Sequence, residues 1–256
     1  MARQLVYKSL PQNMFEKDIK KYLDEKGYNR INLKAVLFDM DGVLFDSMKN
    51  HSEAWHKAMS IYGMNLSREE AYMHEGRTGA STINIVSLRE RGYEATEEEI
   101  KKIYGTKSDI FNTLPKAEPM PGAFELLKQV KESGLTPVLV TGSGQLSLID
   151  KLNHYYPGIF KRELMVTAFD VKYGKPNPEP YLMGLRKAGI CPNEAIVVEN
   201  APLGVKAGVT AGIFTVAVNT GPIPDSALLD EGANILFSSM QEFSDKWNIL
   251  KEDILQ

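Results

Sequence analysis

Short apolar runs alternate with amphipathic stretches after Gly122, and this alternation restricts the fold more than any other feature of the chain. Apolar runs bounded by turn residues are typical of buried strands, and apolar residues repeating every three or four positions are typical of helices. We predict strands at residues 137–140, 164–167, 195–198, 215–218 and 235–237, and helices at 124–133, 145–153, 179–188 and 204–211. Strands that are apolar throughout need cover on both faces, which a parallel sheet between two helical layers provides.

Residues 34–38 form a further apolar run, and no strand pattern follows it until residue 137. Instead, four helical segments occupy residues 49–115, with Ser67/Glu70 and Thr96/Glu99 spaced as capping boxes. We therefore predict an α/β, Rossmann-like parallel sheet core with helices on both faces, formed by residues 34–48 and 116–256, and an inserted all-helical cap at 49–115. A helical period over residues 15–26 makes residues 1–33 an N-terminal helical extension that packs on the main body or on a partner.

The first strand ends in two carboxylates, Asp39 and Asp41. Crowding two like charges costs free energy unless a cation or a reaction uses them. Asp39 could act as a nucleophile and Asp41 as a proton donor beside a divalent metal, whereas the simpler alternative is a solvated aspartate turn. An EF-hand is excluded, because its sixth and twelfth positions hold Leu44 and Asn50 instead of glycine and glutamate.

Polar residues follow the other strands as well, at the edge where parallel sheets bind ligands. Thr141, Gly142 and Ser143 precede a predicted helix, and suit a phosphate that also contacts Gln145; the alternative is a plain turn. Lys175 is either a surface lysine or a cation that holds phosphoryl oxygens. Glu199 and Asn200 either cap the next helix or complete an oxygen-ligand Mg²⁺ site with Asp39 and the Asp41 carbonyl.

The bulk composition excludes several classes of partner. A net charge of -3 and a pI near 5.9 give no positive field for nucleic acid or an anionic membrane. The single cysteine, Cys191, rules out an internal disulfide and a thiolate metal cluster. No secretion signal or membrane-spanning run is recognisable, so we expect a cytoplasmic monomer or small homo-oligomer.

Four motifs occur in a fixed order along the chain. They begin at Asp39, Thr141, Lys175 and Glu199 and read Asp-Met-Asp-Gly-Val, Thr-Gly-Ser, Lys-Pro-Asn-Pro and Glu-Asn-Ala-Pro-Leu-Gly. Over about residues 34–240 they resemble the haloacid dehalogenase-like superfamily, and more closely its β-phosphoglucomutase-like subfamily, in which a helical cap follows the first motif. The resemblance implies Mg²⁺-dependent phosphoryl transfer from a small phosphorylated metabolite such as a sugar phosphate.

The resemblance also implies roles for individual residues. Asp39 would form an aspartyl-phosphate while Asp41 acts as acid and base, with Thr141 and Lys175 completing the catalytic set. Phosphate or substrate would be bound by Gly42, Gly142, Ser143 and Gln145 of the core and by His51, Arg77 and Lys107 of the cap. The metal ligands would be Asp39, Asp41, Glu199 and Asn200. The family usually has aspartate where this chain has Asn200, so we expect weaker Mg²⁺ binding.

Two departures separate the chain from the mutases it resembles. Gly79 stands where they carry a phosphate-binding arginine, and Gly144 and Gln145 replace a Lys-Asn pair. A mutase must bind both ends of a bisphosphorylated intermediate, so we favour hydrolysis of a small phosphate monoester. Lys107 keeps a β-phosphoglucomutase-type reaction open, and Asn200 with the N-terminal helix leaves a catalytically idle binding or regulatory protein as a further alternative.

Overall fold

The protein is an α/β sheet with helical layers, seen in a computed structural model that describes residues 13–143 and 147–256. Gln145 lies outside the described residues. The strands are β1 Ala35–Phe38, β2 Thr136–Val140, β3 Met165–Val166, β4 Ala195–Glu199, β5 Phe214–Val218 and β6 Ile235–Phe237. The helices are α1 Glu16–Lys26, α2 Met48–Ile61, α3 Arg68–Met73, α4 Gly79–Arg91, α5 Glu97–Thr113, α6 Ala123–Glu132, α7 Ser147–Tyr155, α8 Glu179–Ala188, α9 Pro202–Thr210, α10 Asp225–Leu229 and α11 Met240–Leu255.

All six strands are parallel, in the order β3-β2-β1-β4-β5-β6. In this register Phe38 at the end of β1 lies beside Leu139 of β2 and Val198 of β4. The polar residues after these strands therefore meet at one edge of the sheet. The predicted α/β class with a parallel core is confirmed.

The strands are apolar throughout because both faces of the sheet are covered. Val36 and Phe38 pack in one buried cluster, whereas Ala35 and Leu37 pack in a second cluster on the opposite face. Side chains alternate between faces along a strand, so a strand without polar residues requires apolar partners on both sides.

Helices α2 to α5 lie between β1 and β2 and enclose an apolar cluster of their own. The predicted capping box at the start of α5 is complete, because Thr96 and Glu99 each accept from the other's backbone N–H. At α3 half of the predicted box forms. Ser67 accepts from the Glu70 backbone, but the Glu70 carboxylate pairs with Arg89 and His74 instead.

The N-terminal helix packs on the core. Phe15, Ile19 and Tyr22 are buried in the larger apolar cluster, and the Tyr22 hydroxyl donates to the Gly212 carbonyl at 2.9 Å. Asp253 of α11 accepts from the Phe15 backbone N–H at 2.8 Å. The sequence analysis did not predict α11, whose buried Phe243, Trp247 and Leu250 join the same cluster.

Among the described residues, every helix is too short or too polar to cross a bilayer.

Candidate active site

Lys175 is buried between two carboxylates at the carboxyl edge of the sheet. Its ammonium donates to Asp39, to Glu199 Oε1 at 2.6 Å and to the Val140 carbonyl at 3.2 Å. Its side chain is 2 % exposed, so the alternative of a surface lysine is wrong. Strands β1, β2 and β4 thus each contribute one group that holds the same cation.

Both carboxylate oxygens of Glu199 accept hydrogen bonds from groups of the protein. Oε1 accepts from Lys175 and from the Tyr181 hydroxyl at 2.6 Å. Oε2 accepts from the backbone N–H groups of Asn200 and Ala201 at 3.0 and 3.3 Å. With these donors in place, both Glu199 oxygens are occupied and Oε1 fixes the position of the Lys175 ammonium.

The electrostatic environment shifts the pKa values of the two aspartates of the first motif in opposite directions. Burial raises the pKa of Asp39, Lys175 opposes this shift, and the charges of Glu199 and Asp41 add to it. Burial would also raise the pKa of Asp41, but His51 and a hydrogen bond from Ser47 hold this pKa below its ordinary value. Carboxyl groups placed so close together and titrating so differently are typical of acid–base and nucleophile pairs.

Asp41 is tied to the helical cap through His51. Asp41 Oδ1 accepts from Ser47 Oγ at 2.5 Å and lies 3.2 Å from His51 Nε2. Lys107 Nζ lies 2.8 Å from His51 Nδ1. Because an ammonium can donate but cannot accept, His51 is assigned as the neutral tautomer that accepts from Lys107 and donates to Asp41.

Lys107 is a cap cation enclosed by aromatic rings. Its side chain is 3 % exposed, and Nζ lies 5.4, 5.9 and 5.0 Å from the ring centroids of Trp55, Tyr104 and Phe111. Burial lowers the pKa of Lys107 to about 8, against the attraction of Asp41. Lys107 therefore does not extend into solvent, and its charge acts on Asp41.

The Thr141 loop and Arg77 line the same pocket as Asp39 and Asp41, a cavity of about 80 Å³. Thr141 is buried and its hydroxyl accepts from the Ser143 N–H at 3.0 Å, while Gly142 and Ser143 form the adjacent wall. Arg77 approaches from the cap, and its buried Nε has no hydrogen-bond partner in the described part of the chain. A guanidinium with an unpaired Nε–H in this pocket suits an anionic ligand.

Glu75 is a residue that the sequence analysis missed. It lies at the C-terminal side of α3, is 9 % exposed and accepts from Asn200 Nδ2 at 3.2 and 3.1 Å. Burial raises the pKa of Glu75 well above its ordinary value, with further repulsion from Asp39 and Glu199. No local pattern signals this residue, because an isolated glutamate in a helical region is normally solvated.

The absence of a side chain on Gly42 leaves room for the side-chain amide of Asn200. It has a φ of 80°, and a Cβ atom on it would lie 2.0 Å from Asn200 Nδ2. A side chain at position 42 would therefore displace the amide. Gly42 supports the site through its backbone, and its carbonyl accepts from Thr220 Oγ1 at 2.6 Å.

The buried charges fit a divalent cation. Asp39 and Glu199 both contact the Lys175 ammonium, and Glu75 lies nearby in contact with Asn200. Asn200 Oδ1 is buried without a hydrogen-bond partner in the described chain. Over the same residues, His, Cys, Asp and Glu side chains alone form no cluster of three or more around a metal position. Oxygen ligands that include an amide and a backbone carbonyl nevertheless match Mg²⁺.

Comparison with known proteins agrees with this geometry. Residues 36–218 match the family model of haloacid dehalogenase-like hydrolases. The chain belongs to this family. It is 32% identical over 209 residues to hexitol phosphatase A of Escherichia coli, covering 81% of this chain and 92% of that protein. It is 29% identical to a phosphorylated carbohydrates phosphatase of Thermotoga maritima, covering 86% and 99% of the two chains.

A solved structure from Bacteroides vulgatus, named as a candidate β-phosphoglucomutase, shares 66% identity with a TM-score of 0.94. That match covers 96% of this chain and all of the other. The protein is therefore an enzyme of the haloacid dehalogenase-like phosphatases and phosphomutases, as the four motifs predicted. The individual roles of its site residues remain predictions.

Proposed function

We propose that the protein hydrolyses a small phosphate monoester such as a sugar phosphate, through an aspartyl-phosphate on Asp39. The contact of Lys175 with Asp39 and Glu199 is the observation that supports this most directly. It holds a cation beside the carboxylate that would attack phosphorus, where negative charge on the phosphoryl oxygens must be stabilised. Hexitol phosphatase A and the carbohydrate phosphatase are consistent with a sugar phosphate as substrate.

In the first step, an Asp39 oxygen attacks phosphorus and the ester oxygen leaves. Asp41 gives a proton to that oxygen. In the second step Asp41 takes a proton from a water that attacks phosphorus, and the Asp39 oxygen leaves as the free carboxylate. His51 and Ser47 hold Asp41 on the leaving-group side. An incoming phosphate dianion would raise the pKa of Asp41, because a like charge disfavours its ionised form, and this would supply the acid for the first step.

The remaining charges bind the phosphoryl group. Thr141, the Gly142 N–H and Lys175 face its equatorial oxygens, and Arg77 approaches from the cap. Asp39, the Asp41 carbonyl and Asn200 would hold Mg²⁺, with Glu199 adding negative charge at the site and Glu75 able to ionise beside the bound cation. Bound Mg²⁺ neutralises phosphoryl charge and aligns the phosphorus for in-line attack.

The packing of Gly79 supports hydrolysis over a mutase reaction. A Cβ atom on Gly79 would lie 2.3 Å from Tyr104 Cδ2, so a side chain here requires the ring to move. The arginine that the mutases carry at this place therefore has no room. A cation that would hold the second phosphate of a bisphosphorylated intermediate is missing from this position.

A phosphomutase is the second candidate, because the 66% identical structure bears that name and Lys107 supplies a buried cap cation. Incubation with β-glucose 1-phosphate and Mg²⁺ distinguishes the two reactions. We expect free phosphate and glucose. Accumulation of glucose 6-phosphate without free phosphate would reverse our ranking.

Turnover of p-nitrophenyl phosphate distinguishes both enzymes from an idle binding protein, with Asp39→Asn as the control. We also propose that the reaction takes place in a reducing cytoplasm, which suits a chain with a single, exposed cysteine.

A further inference from the structure

A second cavity adjoins the catalytic pocket on the other side of Asp41. Its volume is about 460 Å³, several times that of the catalytic pocket, and we name it the Lys151 cavity. Its walls come from α7, the C-terminal end of α5 and the segment that returns to the core, and include Phe111, Lys116, Lys151, His154 and Tyr155. Asp41, His51 and Ser143 line both cavities.

Asp41 lies between the two cavities and would protonate the leaving oxygen there. The proposed proton donor must lie within hydrogen-bond distance of the leaving oxygen. The phosphoryl group occupies the small pocket beside Asp39, where little space remains for the rest of a substrate. The larger cavity beyond Asp41 has a volume typical of small-molecule sites, so the leaving group can extend there.

The charges of the Lys151 cavity favour an anion. Asp41 is its one acidic lining residue among those described, whereas Lys116 and Lys151 are basic. Lys151 Nζ lies 3.8 Å from the Phe45 ring centroid, and in the described chain it has no hydrogen bond and no carboxylate within 4.0 Å. Burial lowers the pKa of Lys151, while the more distant charges of Asp41 and Glu118 oppose this shift.

The Lys151 ammonium is half-buried and its contact is an aromatic ring. This contact replaces only part of the hydration that the charge loses on burial. A ligand carboxylate or phosphate at this point would replace lost hydration with a charge-assisted hydrogen bond. Lys151 lies on α7, ten residues after Thr141, so one short stretch of the chain would contact both ends of such a ligand.

We propose that the Lys151 cavity binds the leaving group of the substrate and that Lys151 selects leaving groups bearing a second anionic group. The natural substrate class is then a phosphate monoester with a carboxylate or a further phosphate on its alcohol part. This inference rests on the proposed phosphatase function, because it assigns the cavity to the alcohol that Asp41 protonates.

A matched pair of ligands tests the proposal by binding. Glycerol 3-phosphate and 3-phosphoglycerate differ by a hydroxymethyl group in place of a carboxylate. Isothermal titration calorimetry with Mg²⁺ and the Asp39→Asn enzyme measures both affinities without turnover. We expect about tenfold tighter binding of 3-phosphoglycerate, as one charge-assisted contact provides.

Variants at position 151 identify the cause of that preference. In the same Asp39→Asn background, Lys151→Met should remove the preference and leave glycerol 3-phosphate binding unchanged. Lys151→Arg should retain the preference, and so should the control Lys161→Met, which alters an exposed lysine. Retained binding of glycerol 3-phosphate by Lys151→Met shows that the variant is folded.

Equal affinities for the two ligands, no binding of either, or a preference that survives Lys151→Met would overturn the proposal. A second matched pair, fructose 6-phosphate and fructose 1,6-bisphosphate, separates a phosphate-specific site from one that accepts any anion. A preference for 3-phosphoglycerate that depends on Lys151 supports the inference, and a matching preference in the second pair shows that the site accepts phosphate as well. Turnover of p-nitrophenyl phosphate by the unaltered enzyme tests the phosphatase function separately, so failure of one proposal is distinguishable from failure of the other.

Discussion

Glu75 of the cap accepts two hydrogen bonds from the side-chain amide of Asn200, at 3.2 and 3.1 Å. These contacts cross from the helical insert to the residue that follows β4, and Asn200 Oδ1 is buried without a hydrogen-bond partner among the described residues. The family usually has an aspartate at position 200. A cap carboxylate therefore lies beside the position where this chain lacks a core carboxylate.

From this pairing we predict that Glu75, whose raised pKa a nearby divalent cation would lower, supports Mg²⁺ binding. Glu75→Gln should weaken Mg²⁺ affinity about tenfold, since removing a carboxylate from an oxygen-ligand site lowers its attraction for a divalent cation. Asn200→Asp should strengthen it and should offset Glu75→Gln in the double variant. Calorimetric titration of Mg²⁺ provides the measurement, with Glu98→Gln on the exposed face of α5 as the control. Unaltered affinity in Glu75→Gln would show that this carboxyl group acts on cap packing alone.

Asp39→Asn should abolish phosphate release. The amide is nearly the same size and can still contact Lys175, but it is not a nucleophile, so kcat should fall by at least about a thousandfold. Release of phosphate from sugar phosphates gives the rate, and circular dichroism checks the fold. Retention of more than a tenth of the activity would contradict an aspartyl-phosphate on this residue.

The reaction should lose substrate affinity as pH rises above about 8. Burial lowers the pKa of Lys107 to about 8, so its cation is present below that pH and is lost above it. KM for a phosphate dianion should then rise while the fold is retained. Lys107→Arg keeps its charge across this range and should remove the inflection near pH 8. Persistence of that inflection in Lys107→Arg would assign it to another group.

The N-terminal helix should contribute to the stability of the core. Tyr22 is 1% exposed and contacts the Phe214 ring edge-on at 5.2 Å. Tyr22→Ala should lower the free energy of unfolding by about 3–5 kcal/mol, and Tyr22→Phe by about 1 kcal/mol through the lost hydrogen bond. Urea denaturation measures both, and Tyr93→Ala, which changes an exposed tyrosine, should have little effect. Two-state unfolding at unchanged stability in Tyr22→Ala would show that α1 is not part of the cooperative unit.

Local patterns predicted the elements that carry the chemistry. Asp39 and Thr141 were placed correctly directly after β1 and β2, and Lys175 in the loop after β3, because apolar strands and the turns after them are short-range features. Element ends were less accurate. The helix predicted to end at residue 153 continues to Tyr155, and the strand predicted at 164–167 is reduced to Met165–Val166.

The sequence by itself determined the parallel sheet and the edge at which the reactive groups meet, since both depend on the period of apolar residues and on chain order. The tertiary structure alone decided which distant side chains complete the site. Glu75 contacts Asn200, and Tyr181 donates to Glu199, over separations of 125 and 18 residues. No local period encodes such contacts, because they depend on how the helical insert packs over the sheet. The same holds for Glu70, which pairs with Arg89 and leaves its predicted capping box half formed.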